Sequence, residues 1–162
     1  MANTARPCGA RPYGASARAN RYVAGGTIYP GDFVLQDATG TVVVGTASAA
    51  LCGVAQTYAT SGDDILIWDD PDQRFIIQSD GTNPDAQTDI GLNYNVTATA
   101  GNSTYKVSRM ALDDNTDNTT ATLPLKLLGI EARPDNALGA TADCIVQINN
   151  HQFGSHTGTA GV

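Results

Sequence analysis

The two histidines are the first residues to consider for catalysis, because a nucleophile needs an adjacent base and that base is most often His. His151 and His156 both lie in the last twelve residues, in a segment rich in Gly, Ser and Thr. Such a segment is poorly suited to holding a general base within hydrogen-bond reach of a substrate. No G-x-S-x-G motif accompanies them. We therefore predict that neither histidine is catalytic and that the chain is not an enzyme.

The aspartates are the second group, because carboxylates bind metal ions and serve as acids or bases. Asp113, Asn115 and Asp117 match the opening of a calcium-binding loop, but Asn118 replaces the required Gly and Pro124 replaces the bidentate Glu. Five further aspartates flank two predicted strands: Asp63, Asp64, Asp69, Asp70 and Asp72. Aspartate at strand ends usually accepts hydrogen bonds from nearby backbone. We predict no metal and no cofactor, and nothing singles out a carboxylate pair for a hydrolase, which is the third hypothesis.

The charge of the chain is unevenly distributed. The net charge is −7, yet residues 1–31 contain four arginines and no acid, while residues 32–162 contain all 16 acids and five basic residues. The acidic part would repel phosphate, which argues against a nucleic-acid partner. Tyrosines interleave with the arginines of the basic segment, and both residue types are enriched in interface cores. The candidate partner-binding residues are Arg6, Arg11, Tyr13, Arg18, Arg21 and Tyr22.

The distribution of apolar residues predicts an all-β chain. Apolar runs of strand length, bounded by turn residues, recur from residue 33 onward, and the one helical candidate is a short stretch at 86–90. The predicted strands are Phe33–Gln36, Thr41–Val44, Leu51–Gln56, Asp64–Trp68, Arg74–Gln78, Leu92–Ala98, Tyr105–Met110, Leu125–Ile130 and Cys144–Ile148. We predict a single β-barrel or β-sandwich (jelly-roll-like) domain. Residues 1–26 should form an extended arm, 27–153 the β-rich body and 154–162 a short flexible tail.

Cysteine usage and hydropathy bear on the cellular environment. Cys8, Cys52 and Cys144 are an odd number of widely spaced cysteines, which favours buried free thiols over a disulfide framework. Neither a secretory signal nor a membrane-spanning run is apparent, so we expect a reducing compartment and no membrane. Trp68 is the only Trp and lies inside an apolar run, where a place in the core is expected.

One segment resembles a known family. Residues 62–81 read Gly-Asp-Asp-Ile-Leu-Ile-Trp-Asp-Asp-Pro-Asp-Gln-Arg-Phe-Ile-Ile-Gln-Ser-Asp-Gly. This order of strand, Asp-Pro-Asp turn, aromatic-containing strand ending in Gln, and acidic Gly turn is similar to that of small head decoration (cement) proteins of tailed bacteriophages. Later segments at 89–94, 124–130 and 146–152 also resemble that family. The resemblance implies an oligomeric β-barrel or β-sandwich subunit on the capsid exterior.

The resemblance and the basic arm together predict a capsid decoration protein. Its expected partners are the major capsid protein and further copies of itself, with a homotrimer favoured and a homodimer possible. We expect synthesis in the host cytoplasm and a final location on the virion, outside the capsid. The alternative is a receptor- or glycan-binding β domain on a virion surface, which Asn-, Thr- and Gly-rich loops favour and the scarcity of aromatic residues weakens.

Overall fold

Twelve short strands make up the framework of the described part of the protein. The structure, a computed structural model, describes residues 3–15, 19–154 and 158–162. The strands are β1 (Arg11–Tyr13), β2 (Ala19–Val23), β3 (Phe33–Gln36), β4 (Val42–Val44), β5 (Gly53–Ala55), β6 (Asp64–Trp68), β7 (Arg74–Gln78), β8 (Asn93–Tyr94), β9 (Val96–Thr97), β10 (Ala111–Leu112), β11 (Leu125–Ile130) and β12 (Asp143–Ile148). The only helical element among the described residues is a 3-10 turn at Gln87–Asp89, within the predicted stretch.

The strands form two five-stranded sheets and one two-stranded sheet. The first large sheet has the order β1-β7-β12-β11-β8, the second has the order β2-β6-β5-β3-β4, and β9 pairs with β10. Every pairing between named strands is antiparallel. The predicted all-β class is confirmed in its sandwich form, and the described strands do not close into a barrel.

Two hydrophobic cores use opposite faces of the second sheet. Successive side chains of a strand point to opposite faces, so Phe33 contributes to the core between the two large sheets while Val34 contributes to the other core. Ile28 and Ala59, which lie in connecting segments and bridge to each other, cover that second core. The second sheet is therefore covered on both faces at β3 and β5, whereas Leu66 and Val23 near its β2 edge remain exposed.

Most predicted strands are present, and the largest error is at residues 105–110. The alternation there predicted a strand, but the chain forms a turn in which Lys106 has φ +54°. The side chain of Asn102 accepts hydrogen bonds from the backbone N–H groups of Thr104 and Tyr105, and this local bonding competes with strand pairing. The predicted strand at 92–98 is also divided, into β8 and β9.

The N-terminal residues differ from the predicted separate arm. Strand β1 pairs with β7 as the edge of the first sheet, and β2 pairs with β6 as the edge of the second. Before β1, the side chain of Gln78 donates to the carbonyl of Thr4 and accepts from the N–H of Arg6. Few large hydrophobic side chains are needed at a sheet edge, because main-chain hydrogen bonds hold the strand there. Residues 1–26 are therefore not a dispensable arm, since removing them deletes two strands.

The other end of the chain also differs from the predicted flexible tail. Thr159 accepts hydrogen bonds through its carbonyl from the Asn93 amide and through its hydroxyl from the Lys126 ammonium, and Val162 donates its N–H to the carbonyl of Gly91. His151 is 2% exposed and bridges to Leu51. Residues 158–162 are thus bonded to the body, and His156 lies outside the described residues.

The three cysteines are free thiols, as predicted, but they do not share one environment. Cys52 and Cys144 are buried, and burial raises the pKa of each thiol to about 12. Both are therefore protonated at neutral pH and poor nucleophiles. Cys8 is exposed, contrary to the prediction, because it precedes the edge strand β1 instead of entering a core.

Candidate functional site

The predicted partner-binding residues are divided between two sheet edges. Arg11 and Tyr13 lie on β1, and Arg21 and Tyr22 lie on β2. Arg6 lies in the exposed segment before β1. The sixth predicted residue, Arg18, lies outside the described residues. The candidate residues that the structure describes therefore lie along the edges of both sheets, and they do not form a separate segment.

Two of these arginines form ion pairs of different character. Arg11 donates to Glu131 at 3.0 Å, and Glu131 also pairs with Arg133, which in turn contacts Asp143. Arg11 is thereby tied into a network that fastens β1 to its own sheet. Arg21 pairs with Asp64 at 3.4 Å, but its side chain is 73% exposed. An exposed pair of this kind contributes little to stability, so Arg21 is available to a partner.

The outward face around Arg21 also carries apolar side chains. Arg21 pairs with Leu66 across β2 and β6, and Val23 lies two residues further along the same face. Leu66 and Val23 are 38% and 44% exposed. We call Arg21, Val23 and Leu66 the edge patch. A guanidinium beside exposed apolar side chains is typical of an interface core.

The opposite face of β2 carries a polar cluster centred on Asp69. Asn20 pairs with Ile67, and Asp69 lies two residues beyond Ile67, so the register brings Asn20 beside Asp69. The Asn20 amide donates to both oxygens of Asp69 at 2.8 Å, and the Tyr22 hydroxyl donates to Oδ2 at 2.5 Å. Burial and the bond to Asp69 raise the pKa of Tyr22 well above its ordinary range. The hydroxyl therefore remains a donor at physiological pH.

A cleft opens beside this cluster. The rings of Tyr22 and Phe153 are nearly parallel, with 6° between their planes and 6.4 Å between their centroids. Phe153 is 46% exposed and is held by a bond from its N–H to Nδ1 of the buried His151. The cleft has a volume of about 420 Å³. It is lined by Asn20, Tyr22, Asp69, Asp70, Pro71 and Phe153. We call it the aromatic cleft.

Sequence reasoning identified only Tyr22 among the residues of this cleft as a binding candidate. The alternation that places Asn20 and Tyr22 on one face of β2 is a usable local signal. Nothing local indicates Phe153, because it is distant in sequence and reaches Tyr22 only through the bend after β12.

One acidic cluster in the described residues brings potential metal ligands within 4.8 Å of one another, and it consists of Asp80, Asp113 and Asp114. Asp80 accepts the N–H of Asp114 and the hydroxyl of Thr97, and Asp114 accepts the N–H of Thr82 at 2.6 Å. These carboxylates fasten two loops to each other. We assign the cluster no ligand.

Asp63 and Asp70 have the local roles that their positions indicated, whereas Asp69 accepts bonds from Asn20 and Tyr22 on another strand. Asp63 accepts from the N–H and the hydroxyl of Thr60, and Asp70 accepts the N–H of Asp72. Carboxylates that accept such bonds stabilise the turns between strands. These aspartates do not converge with the Asp80 cluster on one metal site in the described residues.

Asp32 is a buried carboxylate whose ionisation should oppose folding. It is 2% exposed, and burial raises its pKa although the Tyr29 N–H donates to it. The Asp32 carboxyl therefore keeps its proton to a higher pH in the folded state than in the unfolded state. Its contribution to folding stability is lost as the pH rises from about 4 through the folded-state pKa. We predict that Asp32→Asn becomes progressively more stable relative to wild type between pH 4 and pH 7, as measured by urea unfolding.

Asp37 provides a control of opposite sign for that prediction. Hydrogen bonds from Thr39 and Thr41 lower its pKa. The ionised carboxylate therefore stabilises the folded state at neutral pH, and this stabilisation is lost on acidification. Asp37→Asn should therefore lose stability relative to wild type chiefly as the pH rises from about 2 to about 5, where Asp37 ionises, and should change little from about pH 5 to about pH 7. Parallel pH profiles for the two variants would contradict the assignment of Asp32 as the buried, proton-retaining group.

Comparison of the chain with models of protein families and with curated proteins finds no match. Among the described residues, no helix has the length and apolar character needed to cross a membrane.

Proposed function

We propose that this chain is a capsid decoration or cement protein that binds the outside of a tailed-phage head and reinforces its lattice. The proposal begins from the resemblance at residues 62–81. This segment comprises β6, the Asp-rich turn and β7, and it connects the two large sheets. Its strands also pair with β2 and β1, so the segment that resembles head proteins organises the edges where the candidate residues lie.

The edge patch is the observation that carries the proposal. Edge strands offer unpaired main-chain groups to a partner, and β2 adds an exposed Arg21 with Val23 and Leu66 beside it. Strand β1 contains Pro12, which lacks an N–H and limits strand addition there. We infer that β2 makes the main contact with the major capsid protein and that the exposed Arg6 and Tyr13 are secondary contacts.

The mechanism of reinforcement is multivalent. In the proposed arrangement the chain forms a homotrimer, and several edge patches engage neighbouring capsid subunits at once. Linked contacts raise the effective concentration of each further contact, so that modest individual affinities give high avidity. The acidic surface elsewhere faces solvent, where net negative charge opposes clumping of particles. No catalytic step is part of this proposal.

We predict that Arg21→Ala lowers the affinity for capsids by about tenfold, because an interface arginine commonly contributes more than about 1 kcal/mol. The measurement is cosedimentation of purified protein with heads assembled without it, with the copy number per head determined at saturation. Val23→Ser should weaken binding in the same assay, since it removes an apolar contact of the edge patch.

Lys106→Ala is the charge-matched control, because Lys106 lies in the turn at 102–107, outside the edge strands. It should bind like wild type. Decorated heads should also resist heat better than bare heads. Equal binding by all three variants, or unchanged thermal resistance of decorated heads, would refute the proposal.

The alternative of a receptor- or glycan-binding domain predicts a different result. Virions without the protein would then lose adsorption to host cells while keeping their thermal stability. Trp68 does not supply an exposed sugar platform, because it packs against the core between the sheets.

A further inference from the structure

The aromatic cleft is a feature that the proposed capsid reinforcement does not use. We propose that it binds the guanidinium group of an arginine side chain from a partner protein. This proposal is independent of whether that partner is a capsid protein. It rests on the polarity of the cleft wall, the orientation of the two rings and the balance of charge.

The polar wall of the cleft accepts hydrogen bonds but has few donors to give. The Asn20 amide and the Tyr22 hydroxyl, which are its side-chain donors, are both directed at Asp69. The groups left to contact a ligand are the carboxylates of Asp69 and Asp70, which accept hydrogen bonds. A sugar requires both donors and acceptors, whereas a guanidinium has five donors and no acceptor. The wall therefore suits a guanidinium better than a sugar.

The two aromatic rings favour a planar cation. Tyr22 and Phe153 present nearly parallel planes 6.4 Å apart at their centroids, and both rings line the cleft. A cation is attracted to an aromatic face within about 6 Å of the ring centroid. The flat guanidinium also stacks on such a face, which the compact ammonium of lysine cannot do. Arginine is thus the preferred occupant.

The charge at the cleft is uncompensated within the described residues. The ion pairs of the described residues involve Arg11, Arg21 and Arg133. None of these pairs includes Asp69, Asp70 or Asp72. A cation that enters the cleft from a partner would be attracted by the carboxylates of Asp69 and Asp70, which both line it. The half-exposed Phe153 leaves the cleft open for a side chain to enter.

The first test uses N-acetyl-arginine methylamide as the probe and its citrulline counterpart as the neutral probe of the same shape. We expect the arginine probe, at millimolar concentration, to shift the NMR amide signals of Asn20, Tyr22 and Phe153, and the citrulline probe to leave them unchanged. Equal shifts with citrulline would overturn the proposal, because charge would then be irrelevant. Shifts with methyl glucoside instead would establish a sugar site and refute the arginine proposal. The absence of shifts with every probe would also refute the arginine proposal.

The second test separates the aromatic and acidic contributions. Phe153→Leu keeps an apolar side chain but removes the ring face, and we expect it to weaken arginine binding about fivefold. Asp70→Asn should also weaken binding. Asp85→Asn removes one charge from an exposed position outside the cleft and should have no effect. An equal loss with Asp85→Asn would show general charge attraction instead of a site. The capsid assay with the edge-patch variants is scored separately, so either proposal can fail alone.

Discussion

Replacing Phe75 by Ala is expected to lower the free energy of unfolding by about 4 kcal/mol. Phe75 is fully buried on β7, which lies between β1 and β12 in the first sheet. Its ring packs edge to face against the ring of Phe33, which lies on the second sheet. The ring centroids are 6.1 Å apart and the ring planes are 76° apart. The substitution therefore removes apolar contact area and an aromatic pair that joins the two sheets. Urea unfolding followed by circular dichroism measures the loss.

Phe75→Leu is the matched control for this prediction. It retains most of the volume but not the edge-to-face pair, so its cost should be smaller, about 1–2 kcal/mol. If Phe75→Ala costs less than Phe75→Leu, or if neither variant is destabilised, the sheets are not held together at this position.

Replacing Gly53 by Ala is the second change with a large expected effect. A methyl group built on Gly53 would lie 2.2 Å from the carbonyl oxygen of Trp68 and 2.7 Å from the Ile67 side chain. The first neighbour is the backbone of β6, which pairs with β5 and cannot move aside without breaking that pairing. We expect a loss of about 3 kcal/mol or more, at the upper end of overpacking costs, or failure to fold.

Gly129 is the control for the Gly53 substitution. It also lies in a strand, β11, but a methyl group there would meet nothing within 4 Å. Gly129→Ala should therefore leave stability unchanged or raise it by up to about 1 kcal/mol, because Ala restricts the unfolded chain. Thermal unfolding of both variants tests the contrast. Similar destabilisation by the two substitutions would show that strand glycines matter here for a reason other than close packing against β6.

The Asp-rich turn between β6 and β7 is relevant to both functional proposals. It joins the two sheets within the segment that resembles phage head proteins, and Asp69, Asp70 and Pro71 of the same turn line the aromatic cleft. The edge patch lies on the opposite face of β2 from Asn20 and Tyr22. One edge strand therefore presents an arginine-bearing surface on one face and a predicted arginine-binding cleft on the other.

Local patterning was sufficient to predict most strands from residue 33 onward, but it did not predict the edge strands β1 and β2. β3, β6, β7 and β11 have the predicted bounds, because each is a short apolar or alternating run between residues that favour turns. The prediction failed at 105–110, where the Asn102 side chain bonds the backbone of the next residues. Alternation measures which residues could share a face, and it does not show whether a partner strand is available.

The sequence by itself determined the all-β class, most strand positions, the uneven charge and the presence of Arg and Tyr near the N-terminus. Only the tertiary structure decided that these residues belong to two sheet edges, that Arg11 is tied to Glu131 while Arg21 stays exposed, and that Phe153 joins Tyr22 and Asp69 at one cleft. The physical reason is that strand type follows from neighbours along the chain, whereas pairing and side-chain convergence depend on main-chain hydrogen bonds between residues far apart in sequence.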